Sequence, residues 1–122
     1  KVCPCVILVH SQGGNFGYNA TLAHPDKVKA LIAVEPSGAP DATKVNIASI
    51  KDIPHLTVWG DFIGQSPLWT RLSVASTNYH KATQAAGAKS TWLSPPKAGV
   101  KGNTHMLMMD TNSDQVAALI QR

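Results

Sequence analysis

The feature that most constrains the fold is a short apolar run that leads directly into a polar, glycine-containing turn. Residues 6–9 (Val-Ile-Leu-Val) are uniformly apolar, as in a strand that is buried on both faces of a parallel sheet. The polar segment 10–14 (His-Ser-Gln-Gly-Gly) follows, and a helical pattern then extends from Gly14 to Ala23. The sequence therefore predicts a sharp strand-to-helix turn that exposes the hydroxyl group of Ser11.

A serine in this position has the features of a catalytic nucleophile. A sharp turn lifts the hydroxyl of Ser11 clear of the sheet, where a histidine can take its proton. The turn also directs the backbone N–H of Gln12 towards a developing oxyanion, near the positive end of the helix. The spacing of Ser11 and Gly13 fits most of the G-x-S-x-G motif, with Val9 replacing the first glycine. An ordinary strand-to-helix turn is the alternative interpretation, so the assignment depends on partners elsewhere in the chain.

The remaining chain is predicted to alternate strands with helices. We expect three more strands and two more helices, separated by loops at 37–53, 62–69 and 94–104. The predicted strands are 29–34, 55–59 and 89–93. The first of the two helices is predicted over 71–86, with Gly87 as its C′ residue. The second is predicted to be capped by Thr111-x-x-Asp114 and to extend through Gln121. This order predicts an α/β protein with a parallel sheet and flanking helices, in a single domain over residues 1–122.

Two partners for Ser11 follow strands of this sheet. Glu35 comes directly after the second strand, at the carboxyl end where α/β sheets place their sites. Its carboxylate could accept a hydrogen bond from the Nδ1–H of a histidine, and His105, after the fourth strand, is the candidate base. Asp61, after the third strand, is the rival acid, although a turn aspartate is the simpler interpretation of it. A surface glutamate is the alternative for Glu35.

The other histidines and the aromatic residues have simpler expected roles. His10 adjoins Ser11, but neighbouring side chains on a strand face apart, so we expect His10 to line a pocket instead of acting as the base. His24, His55 and His80 are predicted to be structural or exposed. The candidates for an apolar substrate pocket, with core packing as their alternative role, are Trp59, Phe62, Trp69 and Met106.

Four segments together resemble the bacterial α/β-hydrolase esterases that use glutamate as the triad acid. They are 9–13 (Val-His-Ser-Gln-Gly), 33–36 (Ala-Val-Glu-Pro), 59–61 (Trp-Gly-Asp) and 102–106 (Gly-Asn-Thr-His-Met). The resemblance implies a triad of Ser11, Glu35 and His105, a structural or pocket role for Asp61, and carboxylic ester hydrolysis without a metal or organic cofactor. It also implies that the chain is the C-terminal portion of that fold, starting at the nucleophile strand, so that the second oxyanion donor comes from a segment outside it.

Composition and charge bear on the partners. The net charge of +4 comes from scattered lysines without a basic, aromatic-rich run, so we expect no nucleic acid partner. No apolar run is long enough to span a bilayer. Cys3 and Cys5 are interpreted as a structural pair or two free thiols and not as a redox or metal module.

The expected partners are therefore a small ester and, at the open edge of the first strand, an N-terminal half or a second copy. The alternative function is a catalytically poor fragment that acts by association with another chain.

Overall fold

The computed structural model describes residues 3–122, which form a four-stranded parallel sheet with helices on both faces. Residues 1 and 2, at the start of the chain, lie outside the described residues. The helices and strands are β1 Cys5–His10, α1 Gly13–Ala23, β2 Val28–Val34, β3 His55–Val58, α2 Pro67–Ala85, β4 Ser90–Leu93 and α3 Ser113–Ile120. Short 3-10 helices lie at Pro25–Lys27, Ile47–Ile50, Ile63–Gln65 and Pro95–Ala98.

The strand order is β1-β2-β3-β4, and every neighbouring pair is parallel. This confirms the predicted parallel sheet with flanking helices. All four carboxyl ends lie at the same edge, so the residues that follow separate strands come close together there.

Each face of the sheet has its own apolar core. Tyr18 of α1, Leu31 of β2 and Tyr79 of α2 are buried on one face. Val58 of β3 and Val116 of α3 are buried on the other face. Apolar side chains that alternate along the strands therefore pack against helices in both directions, as parallel sheets require.

The sequence predicts that β1 is buried on both faces, but the structure buries only one of them. Ile7 and Val9 pack against the core that contains Tyr18. Val6 and Leu8 point to the other face and are 55% and 62% exposed, because β1 is an edge strand and α3 packs over the neighbouring strands. The uniformly apolar run therefore has one buried face and one open face within the described chain.

Helix α2 begins earlier than the periodicity predicts. It starts at Pro67 and not at residue 71, because Ser66 caps it and accepts a hydrogen bond from the backbone N–H of Trp69 at 3.4 Å. Its end is as predicted, since Gly87 follows it with a φ of 93°. The N–H of Ala88 donates to the carbonyl of Thr83 at 3.0 Å, which closes a Schellman motif.

The capping signal predicted for α3 is wrong. The helix begins at Ser113 after Asn112, whose side chain makes no capping hydrogen bond. That side chain is used elsewhere, because its Oδ1 accepts from Asn103 Nδ2 at 2.7 Å and its Nδ2 donates to the Lys101 carbonyl at 2.9 Å. Asn112 therefore holds the preceding loop.

Two further observations concern the sequence predictions. Cys3 and Cys5 form a disulfide at the entrance of β1, so they are a bonded pair and not free thiols. Among residues 3–122, no helix combines the length and apolar character that a bilayer span needs.

Candidate active site

Ser11 lies in the turn between β1 and α1, with a positive φ of 53° that non-glycine residues rarely adopt. Its N–H donates to the Val34 carbonyl at 3.2 Å, and its carbonyl accepts from the N–H groups of Gly14 and Ser37, both at 2.9 Å. A Cβ on Gly14 would lie 2.4 Å from Cβ of Pro36, so only glycine permits this approach of α1 to the segment after β2. Hydrogen bonds to the neighbouring segment thus hold the backbone of the turn.

Glu35 follows β2 and is 1% exposed, which contradicts the alternative of a surface glutamate. Its Oε2 lies 2.7 Å from Nδ1 of His105, and its Oε1 accepts a hydrogen bond from the N–H of Gly60 at 2.8 Å. Both carboxylate oxygens therefore have partners, as a buried charged group requires. The φ of Glu35 is also positive, at 39°.

His105 lies in the loop between β4 and α3, where its ring contacts two other aromatic rings. Its centroid is 4.0 Å from that of Trp69 and 4.5 Å from that of His10. When Nδ1–H donates to Glu35, the lone pair of Nε2 is available to accept a proton. Within residues 3–122 the hydrogen-bond partner of this ring is Glu35, and no hydrogen bond joins the ring to Ser11 Oγ.

Asp61, the other candidate acid, binds the backbone of the loop that carries His105, whereas Glu35 binds the His105 ring. Its Oδ2 accepts hydrogen bonds from the N–H groups of Gly102 at 2.7 Å and Asn103 at 3.2 Å. Asp61 therefore holds the residues that precede His105.

Sequence reasoning did not identify two groups that support this arrangement. Gly60 donates to Glu35, and a Cβ there would lie 2.9 Å from Glu35 Oε1. Asp110 accepts from the N–H of Thr104 at 2.8 Å and from its hydroxyl at 2.9 Å. Gly60 belongs to the Trp-Gly-Asp segment, but its spacing does not indicate a contact with Glu35, and Asp110 lies outside the four segments. Each acts through a contact that only the folded chain creates.

The pocket candidates separate into distinct positions. Asp61, Phe62 and Trp69 line a small cavity of about 80 Å³ together with Glu35 and His105. Phe62 is 53% exposed at the mouth of this region.

The other pocket candidates are placed differently. Trp59 is buried, with its ring centroid 6.3 Å from that of Trp69 and 6.4 Å from that of Trp92, so it contributes to aromatic packing. Met106 and His10 do not line the 80 Å³ cavity, and Met106 is 41% exposed.

The remaining histidines lie outside this group. His55 is buried and its Nδ1 donates to the Ile53 carbonyl at 2.7 Å, while desolvation lowers its pKa. His80 Nδ1 lies 2.7 Å from Ser90 Oγ, and burial also lowers its pKa. His24 ends α1 through its backbone N–H, which donates to the Ala20 carbonyl. Across residues 3–122, no three His, Cys, Asp or Glu side chains are grouped as ligands for a metal ion.

Comparison with solved structures relates this fold to known proteins. A bacterial esterase superimposes with a TM-score of 0.87 and 38% sequence identity, covering 95% of this chain and 36% of the esterase chain. A predicted CIB-like hydrolase from Thermoplasma acidophilum gives a TM-score of 0.61 and 23% identity, covering 98% of this chain and 50% of that chain. A thermostable esterase gives 0.59 and 22% identity, covering 77% of this chain and 23% of the esterase.

Sequence comparison gives a consistent result. The probable secreted lipase phiG of a fungal species (strain ATCC 74256) is 24% identical to this chain over an alignment of 170 residues, gaps included. The alignment covers 98% of this chain and 45% of the lipase. No protein-family model matches the chain.

The fold and these similarities define the class, because a parallel sheet with flanking helices is shared with hydrolases of the α/β-hydrolase type. The chain is part of an α/β-hydrolase fold, and it resembles esterases of that fold. It spans less than half the length of the lipase and of the bacterial esterase that it matches.

Proposed function

We propose that this chain carries the nucleophile, base and acid of a serine hydrolase that cleaves carboxylic esters. The observation that carries the proposal is the 2.7 Å contact between His105 Nδ1 and the buried carboxylate of Glu35, at the same sheet edge as Ser11. A buried carboxylate behind an imidazole orients the ring and stabilises the imidazolium that forms on proton transfer. The esterases and the lipase among the similar proteins support the choice of ester bonds.

In the acylation step, His105 Nε2 takes the proton of the Ser11 hydroxyl while Ser11 Oγ forms a bond to the ester carbonyl carbon. The carbonyl oxygen becomes an oxyanion, which the backbone N–H of Gln12 stabilises. The carbon–oxygen bond to the alcohol then breaks, and the alcohol leaves with the proton from His105. The product is an acyl group bound to Ser11.

Deacylation repeats these steps with water as the nucleophile. His105 takes a proton from water, the hydroxyl adds to the acyl carbon, and Ser11 leaves with that proton as the acid is released. A second oxyanion donor would come from a segment outside this chain. Because one missing donor typically lowers turnover by about 10²–10³-fold, we expect the chain alone to be slow.

Covalent labelling tests this proposal without requiring rapid turnover. The protein, as its gene encodes it, is treated with a fluorophosphonate, and the modified peptide is identified by mass spectrometry. We expect one label on Ser11, no label in Ser11→Ala, and normal labelling in the control Ser49→Ala, whose serine is exposed on the 3-10 helix Ile47–Ile50. Equal labelling of the wild-type protein and Ser11→Ala would contradict the proposal.

A second candidate function is association with another chain, as a poorly active hydrolase-like fragment. The exposed Val6 and Leu8 on the edge strand β1 favour it, because an open apolar strand edge promotes pairing. The in-register row from Leu8 through Ile32 to Leu56 runs along this face, and Ile32 and Leu56 line a cavity of about 520 Å³ there. An N-terminal half that supplies further strands would cover it.

Association is tested by replacing one exposed side chain. Leu8→Lys should abolish complex formation in sedimentation experiments, whereas the control Val74→Lys, at an exposed position on α2, should not. A complex of two identical chains would assign the surface to a second copy. A wild-type protein that stays monomeric would exclude this function.

A further inference from the structure

His10 makes a contact that lining a pocket does not explain. It is the last residue of β1, directly before Ser11, and is in register with Val34 of β2. Its Nε2 lies 2.7 Å from the carbonyl oxygen of His105. A carbonyl only accepts hydrogen bonds, so Nε2 of His10 carries a hydrogen and donates it.

This hydrogen bond connects the strand that leads to Ser11 with the loop that carries His105. The two residues are 95 positions apart in the sequence. Glu35 holds the ring of His105, whereas His10 holds its backbone. Asp61 and Asp110 bind the preceding residues 102–104. The His10 contact therefore links the backbone of His105 directly to β1.

The two histidine rings also lie against each other. Their centroids are 4.5 Å apart at an interplanar angle of 35°, and Trp69 contacts the His105 ring as well. A ring held by Glu35 at one nitrogen and by two neighbouring rings has few orientations available.

We infer that His10 is a positioning residue that sets the separation between the base His105 and the nucleophile Ser11. The inference rests on the proposed function, since it assigns a role within the same site. His10 acts through the His105 backbone and takes no proton from Ser11. Because a misplacement of about 1 Å can cost about 10²-fold in rate, loss of this contact should slow the reaction of Ser11.

The test compares two substitutions of His10 in the protein as its gene encodes it. His10→Leu removes the donor, and we expect the rate of fluorophosphonate labelling and the kcat for a p-nitrophenyl ester to fall by about 10–10²-fold. KM should change by less than about twofold, because substrate binding is not altered. His10→Gln, whose amide can donate to the same carbonyl, should restore most of the rate.

The control is His24→Leu, which makes the same chemical change at an exposed position at the end of α1 and should leave the rate unchanged. Thermal unfolding of each variant establishes that the rates refer to folded protein. If His10→Leu does not fold, the comparison of His10→Gln with His10→Asn decides, because the asparagine amide is one methylene too short to reach the carbonyl of His105. A rate at least about 10-fold lower in His10→Asn than in His10→Gln supports the inference, and a smaller difference overturns it.

The two proposals fail in different ways. A wild-type protein that is not labelled at Ser11 would refute the proposed function. A wild-type protein that is labelled, together with a His10→Leu variant that reacts equally fast, would refute the positioning role of His10 alone. Equal losses in the leucine and glutamine variants would also refute it, because they would show that the carbonyl contact is not the cause.

Discussion

Replacing Gly60 by alanine tests the packing around Glu35. An added Cβ would lie 2.9 Å from Glu35 Oε1 and 3.3 Å from the Cβ of Asn103. Glu35 is 1% exposed, and its other oxygen is bound to His105 at 2.7 Å. The carboxylate therefore has little room to move without lengthening that bond or losing the bond from the Gly60 N–H.

The expected cost follows from these contacts. The approach to Oε1 is about half an ångström shorter than an ordinary contact, and relieving such overpacking typically costs about 1–3 kcal/mol. A weakened hydrogen bond to the buried carboxylate acts in the same direction, whereas the reduced entropy of the unfolded alanine chain returns about 0.4–1 kcal/mol. We expect a net loss of about 1–3 kcal/mol in the free energy of unfolding.

Urea unfolding measures this loss directly. With a slope of about 2 kcal/mol per molar, the midpoint should fall by about 0.5–1.5 M. Gly64→Ala is the matched control, since a Cβ there meets no atom within 4 Å and the midpoint should change little. If the Gly60→Ala variant unfolds at the wild-type midpoint, as the Gly64→Ala control should, the reasoning about Glu35 is refuted. Under the proposed function, Gly60→Ala should also slow labelling of Ser11, by about 10²-fold if the base moves by 1 Å.

Two further predictions concern the pH dependence of stability and the loop that carries His105. Burial lowers the pKa of His55, so below about pH 6.5 the unfolded chain binds a proton that the folded chain does not, and stability falls as the pH falls. Urea midpoints of His55→Asn should therefore decline less between pH 7 and pH 5 than those of the wild type, and equal slopes would contradict this account. Asp61→Ala removes the acceptor for Gly102 and Asn103 and should cost about 1–3 kcal/mol, measured by the same unfolding assay. Asp61→Asn retains an accepting oxygen and should recover part of that loss, and an Asp61→Ala variant as stable as wild type would refute the anchoring role.

Local patterns in the sequence predict most of the secondary structure. The four predicted strands agree with the observed strands to about one residue at each end. Gly87 ends α2 as predicted, since a positive φ there favours glycine. The start of α2 and the cap of α3 were missed. Ser66 and Pro67 form a capping signal outside the apolar period, and the Asn112 side chain is used by a distant loop.

At the candidate site, the sequence likewise predicts some features, and the folded loops decide others. Glu35, Asp61 and His105 could be selected from the sequence, because each follows a strand whose carboxyl end lies at the shared edge. Only the folded loops distinguish the two carboxylates, because they place Glu35 against the His105 ring and Asp61 against the backbone of Gly102. Sequence spacing carries no information about such a choice.

The amino-acid sequence by itself determined the alternation of strands and helices, the turn at Ser11 and the short set of polar side chains at the sheet edge. These depend on neighbours within one turn or one strand. Only the tertiary structure decided that Gly60 binds Glu35, that His10 holds the backbone of His105 and that one face of β1 is left open. Those contacts join residues 25 to 95 positions apart, so they depend on strand register and loop packing across the whole sheet.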